Sequence, residues 1–161
     1  MVEQLDDVDF ALAAWRRSGE WVVGELAHDL PADLDLLADA LRRFSDDVVV
    51  ALIGLDDDYF VIVRVDQVRT RVLLSDPTAA DEWDVAASVL EFLDLPAPDE
   101  DDDDQDAVGD LDLLADLGLA EDDLEDLLDD VDAYPDELLS DVARAMGFGQ
   151  LFDDALGLAP A

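Results

Sequence analysis

Carboxylates are the first candidates for chemistry in this 161-residue chain, which carries 36 Asp and 9 Glu. Such groups do general acid–base or glycosyl-transfer work in pairs, when one sits where its pKa is raised and the other does not. At this density, pairs at catalytic spacing occur everywhere, and nothing in the sequence marks any one of them as buried. The residues read as a solvated acidic surface. Calcium is the second chemistry to test, because an EF-hand loop needs oxygen ligands at positions 1, 3, 5, 7, 9 and 12 around a Gly at 6. With Gly109 at position 6, Asp104, Asp106, Asp110 and Asp112 fall on ligand positions, but Val108 and Ala115 stand where two more are required. That near miss follows from Asp density; diffuse, non-specific cation association with Asp101 to Asp104 is the most it supports.

Other chemistries fail for want of groups. There is no Cys and no Lys, and His28 is the single imidazole. Thiolate nucleophiles, Cys-ligated zinc, disulfide frameworks and Schiff bases are excluded, and one His cannot build a multi-His metal site. No GxGxxG, GxxxxGK[ST] or GxSxG is present. The reading is a chain without catalytic residues, cofactor or specific metal. Trp15, Trp21 and Trp83 are expected in the core or half-buried on the sheet. The eight arginines carry more information because they are so few. Arg42 and Arg43 complement the dipole at a helix C-terminus. Arg64 is expected to meet Arg71 on the neighbouring strand, a cation pair that nearby carboxylates or a partner must neutralise.

The elements that place these residues divide by composition. Residues 1–94 hold seven arginines against 22 acids, a net −15; residues 95–161 hold Arg144 against 23 acids, a net −22. The expected organisation is an α+β domain over 1–94, an acidic linker over 95–107 and short helices over 108–161. The linker, with Pro96 and Pro98 followed by Asp99 to Asp104, buries nothing and repels itself. In the first region, Phe10–Trp15 and Glu20–Leu26 form a hairpin across Ser18-Gly19. Pro31 starts a helix with Leu34, Leu37, Ala38, Leu41 and Phe44 on one face. Three strands follow over 47–55, 59–65 and 69–75, then a helix with Ala86, Val89, Leu90 and Leu93 inward. The order ββαβββα implies a five-stranded antiparallel sheet with a longin/roadblock/profilin-like arrangement. The last region reads as all-helical, with stripes at Leu111/Leu114/Leu117, Leu124/Leu127/Leu128/Val131 and Leu138/Leu139/Val142/Met146, then a short segment over 150–156.

Several of these stretches together resemble the tRNA adenosine deaminase-associated proteins of high-GC bacteria. They are Phe10–Trp15, Glu20–Leu26, Leu34–Arg42, Tyr59–Val65, Arg71–Asp76 and Gly109–Gly118, with the acidic linker between the last two. No segment is a catalytic signature, so the resemblance implies association with a tRNA-editing deaminase and transfers no site residues. The chain itself lacks the H-x-E and P-C-x-x-C zinc signature of such a deaminase.

The formal net charge of −37, with 51% hydrophobic residues, fits a folded protein that meets a basic partner. The expected role is a non-catalytic acidic interaction or regulatory protein that associates with a basic deaminase, with Asp101, Asp102, Asp103, Asp104 and Asp106 as the partner-binding residues. Two alternatives account for the same acidity: a nucleic-acid mimic that inhibits another basic protein, or codon usage or a salty cytoplasm without polyanionic function. Direct nucleic-acid binding is disfavoured by the charge. No run approaches the ~20 apolar residues of a membrane helix, and the acidic N-terminus does not read as a signal peptide; the expected location is cytoplasmic. Self-association through a sheet edge or helix is left open by the residues.

Overall fold

A computed structural model describes residues 10–25, 34–44, 48–55, 59–67, 69–75, 84–94, 108–128 and 135–156. The β-branched and apolar runs become strands β1 (Phe10–Arg17), β2 (Glu20–Glu25), β3 (Val49–Leu55), β4 (Tyr59–Val65) and β5 (Thr70–Leu74). A two-residue strand, β6 (Val108–Gly109), completes the sheet in the order β2-β1-β3-β4-β5-β6, antiparallel throughout. Ser18 and Gly19, at φ 56° and 85°, turn β1 into β2 with Arg17 opposite Glu20. Two successive positive φ values define the type I′ turn whose twist matches a hairpin. Because β2 and β3 both run antiparallel to β1, they are parallel to each other, and the chain between them crosses one face as helix α1 (Leu34–Arg42).

Both faces of the sheet are covered. Even and odd positions point to opposite sides of a strand. On one side Ala51, Ile53, Val61, Val63 and Val72 pack under Leu37, Ala38 and Leu41 of α1 and Ala86, Val89 and Leu90 of α2 (Asp84–Phe92). On the other side Leu12, Val50, Leu52, Ile62 and Leu73 pack under the C-terminal segment. That layer comprises a 3₁₀ turn (Ala115–Leu117), α3 (Glu121–Leu128), α4 (Pro135–Met146) and α5 (Gly149–Leu156). Burial on both sides explains why β3, and β4 up to Arg64, read as continuous apolar runs with no polar alternation.

The α+β class and the antiparallel sheet stand, while three finer expectations are corrected. The sheet has six strands rather than five, and the order is ββαβββαβ before the C-terminal helices, not ββαβββα. The Leu111/Leu114/Leu117 stripe is not a helix: after β6 it folds into successive tight turns, with Leu113, Ala115 and Leu117 each donating to the carbonyl three residues back. The C-terminal region is therefore not all-helical, since it contributes an edge strand. Gly109 makes that strand possible: at φ 116° it lies so close to β5 that a Cβ there would stand 2.1 Å from the Val72 carbonyl oxygen. The linker 95–107, His28 and Trp83 lie outside the described residues.

Trp21 joins the hairpin to the C-terminal layer. α4 ends in a Schellman motif, with Gly147 at φ 112° and Phe148 donating its N–H to the Ala143 carbonyl. The Met146 carbonyl, left without a helical donor, accepts the Trp21 indole N–H at 3.0 Å. The same indole packs against Phe148 at 4.8 Å between ring centroids. Trp21→Phe keeps an aromatic ring but removes the donor. It should cost about 1–2 kcal/mol, read as a lower urea midpoint at constant slope; an unchanged midpoint would mean the indole N–H contributes nothing to docking.

Candidate interaction site

Arg64 and Arg71 stand directly opposite each other on β4 and β5. Strand alternation turns Arg64 to the same face as Phe60 and Ile62, beneath the C-terminal segment, where it is 8% exposed. It meets Asp116 in a bidentate pair, with Nη2 donating to Oδ2 at 2.8 Å, and also donates to the Leu113 carbonyl at 2.6 Å. Arg71 donates through Nε to Asp110 at 3.0 Å and through Nη2 to Asp112. The expected cation pair therefore forms, and three carboxylates of the acidic C-terminal region neutralise it. The hydrogen bond from Arg64 holds the Asp116 carboxyl below its ordinary value, against the opposing effect of partial burial. The bond to Asp110 raises Arg71 above its ordinary value. These groups fasten the C-terminal layer to the sheet.

Other arginines are also used locally. Arg42, at the C-terminal end of α1, donates to the Asp66 carbonyl at 2.9 Å and to Thr70 Oγ1 at 2.6 Å. The Arg42 bonds reach β5 and the turn before it, which adds a tertiary role to its place at the helix dipole. Arg144 pairs with Asp141 at 3.0 Å within α4.

The acids of α3 are in a different situation. Glu121, Asp122, Asp123, Glu125 and Asp126 are all exposed, and only Leu124 of that helix is fully buried. No arginine among the described residues pairs with any of the five. Carboxylates in the first turn suit the helix dipole, but Glu125 and Asp126 lie beyond it, so the ridge is denser in charge than the helix needs. Asp101 to Asp104 and Asp106, the partner-binding residues expected from sequence, lie outside the described residues. Among the described residues no cluster of three or more His, Cys, Asp or Glu is arranged to hold a metal ion, and no helix is long and apolar enough to cross a membrane.

One half-open cleft of about 190 Å³ adjoins this ridge in sequence, lined by Arg16, Trp21, Val48 and Leu117. Three separate stretches build it: the β1–β2 hairpin, the residue before β3, and the 3₁₀ turn. The Arg16 guanidinium lies over the Trp21 ring at 4.9 Å from its centroid, a cation–π contact across paired positions of the hairpin. Sequence reasoning assigned Trp21 to packing and missed the cleft, because Leu117 reaches it only through a turn that the leucine spacing disguises as a helix.

With this geometry established, comparison with known proteins places the chain. Residues 9–149 match the model of the Rv3753c-like tRNA adenosine deaminase-associated protein family. The chain is similar to Protein Rv3753c of Mycobacterium tuberculosis (strain ATCC 25618 / H37Rv), with 42% identity over 142 residues, 86% of this chain and 82% of that protein. No solved structure matches it. The chain belongs to the Rv3753c-like tRNA adenosine deaminase-associated family.

Proposed function

We propose that this member of the family is a non-catalytic regulatory protein that binds a basic surface of a tRNA adenosine deaminase through its acidic C-terminal half. The observation that carries the proposal is the division of labour among the C-terminal carboxylates. Asp110, Asp112 and Asp116 are consumed in fastening the layer to Arg64 and Arg71, whereas the five acids of α3 face solvent. Asp101, Asp102, Asp103, Asp104 and Asp106 are proposed to extend that acidic surface. A deaminase that acts on RNA holds the backbone with cationic side chains, and an acidic protein surface complements such a region in sign. Electrostatic complementarity of this kind speeds encounter and sets specificity.

The test is a titration of the purified tRNA adenosine deaminase from the same organism with the full chain at two ionic strengths, about 0.05 M and 0.5 M. Binding should weaken by roughly tenfold or more between them. Neutralising α3 as Glu121→Gln, Asp122→Asn, Asp123→Asn, Glu125→Gln and Asp126→Asn together should lower both the affinity and the salt slope. Absence of a complex at low salt, or binding indifferent to salt, sinks the proposal.

A further inference from the structure

We propose that the cleft between Arg16, Trp21, Val48 and Leu117 is the anchor of this partner surface and takes one large apolar side chain from a basic protein segment. The inference rests on the partner reading above and adds the point at which the partner is held. Specific interfaces concentrate their binding energy in a small desolvated pocket, enriched in Trp and Arg, inside a polar rim. The cleft has that composition: one indole, one guanidinium and two aliphatic side chains.

Its indole wall is held in place before anything binds. Trp21 is held by its bond to the Met146 carbonyl and by contact with Phe148, and the Arg16 guanidinium lies over the ring. A preformed wall spares the ordering cost that binding otherwise carries. The volume of about 190 Å³ corresponds to roughly six waters at their liquid volume. A leucine or aromatic side chain would displace them from mostly apolar walls.

The charge around the cleft selects the occupant. Leu117 precedes Glu121 by four residues, so the carboxylates of α3 begin within about 14 Å of the cleft even if the chain between were fully extended. A segment bearing Lys or Arg beside an apolar side chain satisfies ridge and cleft together. A second copy of this chain brings another ridge of the same sign, which opposes self-association here. Nucleic acid is opposed for the same reason. Arg16 is no obstacle to a basic segment, since its charge is engaged by the indole at 4.9 Å and its N–H groups are suited to backbone carbonyls.

The experiment uses the full chain and the tRNA adenosine deaminase, with two independent readouts. The first is the Trp21 indole N–H resonance, identified among those of the three tryptophans by its absence in Trp21→Phe. It should shift when the deaminase is added to the wild-type protein. The second is affinity. Val48→Trp, which fills the cleft, and Leu117→Asn, which makes its wall polar without adding charge, should each weaken binding roughly tenfold or more while leaving the salt slope unchanged. Both variants must keep the wild-type melting temperature; if neither does, the resonance alone decides. A complex that forms with the Trp21 resonance unmoved, or with full affinity in stably folded cleft variants, overturns the anchor and leaves the acidic-surface reading standing. Failure of the wild-type protein to bind at all overturns both.

Discussion

Phe152→Ala should cost about 3–5 kcal/mol, the range for emptying a fully buried aromatic site. Phe152 sits in α5 with no exposed surface and belongs to the apolar layer that covers the C-terminal side of the sheet. Its N–H closes the first turn of α5 onto the Phe148 carbonyl, and Phe148 packs on Trp21. The lost ring therefore leaves a hole where α4, α5 and the hairpin converge, and a shift of α5 to fill it would disturb the cap on α4. Against a total stability of roughly 5–15 kcal/mol for an ordinary domain, this change alone could unfold a large fraction of the molecules. Denaturant unfolding followed by tryptophan fluorescence measures it. Trp21 lies on the C-terminal side of the sheet and Trp15, stacked on Phe44 at 4.7 Å, on the other. Single-tryptophan variants thus report each layer separately. A loss below about 1 kcal/mol would mean that α5 is not packed on the sheet as described.

The sequence discloses the strands far better than the C-terminal layer, and one repeated heptapeptide shows why. Asp-Leu-Asp-Leu-Leu-Ala-Asp occurs at 33–39 and again at 110–116. The first copy runs into α1, where Leu37 and Ala38 are buried together on one face. In the second copy Leu113 and Leu114 are buried while Ala115 is exposed, and the backbone makes tight turns instead of a helix. Local propensity is identical for the two, so it cannot decide. The contexts differ. Residues 40–42 continue the first copy as Ala-Leu-Arg, whereas Gly118 ends the second almost at once. Before the second copy, Gly109 lays the chain against β5, and Asp110 donates its N–H to the Val72 carbonyl. Arg71 then takes Asp110 and Asp112, and Arg64 takes Asp116. Tertiary ion pairs override a helical spacing that is real but unused.

The candidate site was legible to the same uneven degree. The meeting of Arg64 with Arg71 followed from strand alternation and hairpin pairing, and so did the need for carboxylates or a partner to neutralise them. Which carboxylates serve, and that they come from the segment 110–116, depends on contacts across 39 to 52 residues of sequence, as the Arg71–Asp110 and Arg64–Asp116 bonds show. The Trp21 cleft depends on a similar long-range meeting, between the hairpin and a turn that local periodicity presents as helical.

Arg64 and Asp116 should respond to substitution very unequally. Asp116→Ala should cost about 2 kcal/mol, because it strips the carboxylate from a buried guanidinium that the fold cannot release. Arg64 would retain the Leu113 carbonyl, while its Nε already lacks a partner. The cost stays below that of a fully buried pair because the Asp116 side chain is 63% exposed and water can partly replace it. Arg64→Met removes the buried charge itself, lets an apolar side chain lie beside Ile62, and leaves Asp116 free to hydrate. It should fall within about 1 kcal/mol of wild type, the Leu113 carbonyl being the one group left short. The double variant should lie close to Arg64→Met, and the resulting cycle gives the coupling directly. Acidity supplies the independent check. The Asp116 carboxyl is held low in the fold, chiefly by Arg64, so its stabilisation is fully present above the unfolded carboxylate value near ~3.9 and is lost as pH falls through the lower folded value. The stability gap between wild type and Asp116→Asn should be constant from about pH 5 to 7 and close progressively below about pH 4. Equal costs for the two single variants, or a gap that widens in acid, would show that Arg64 is not neutralised by Asp116.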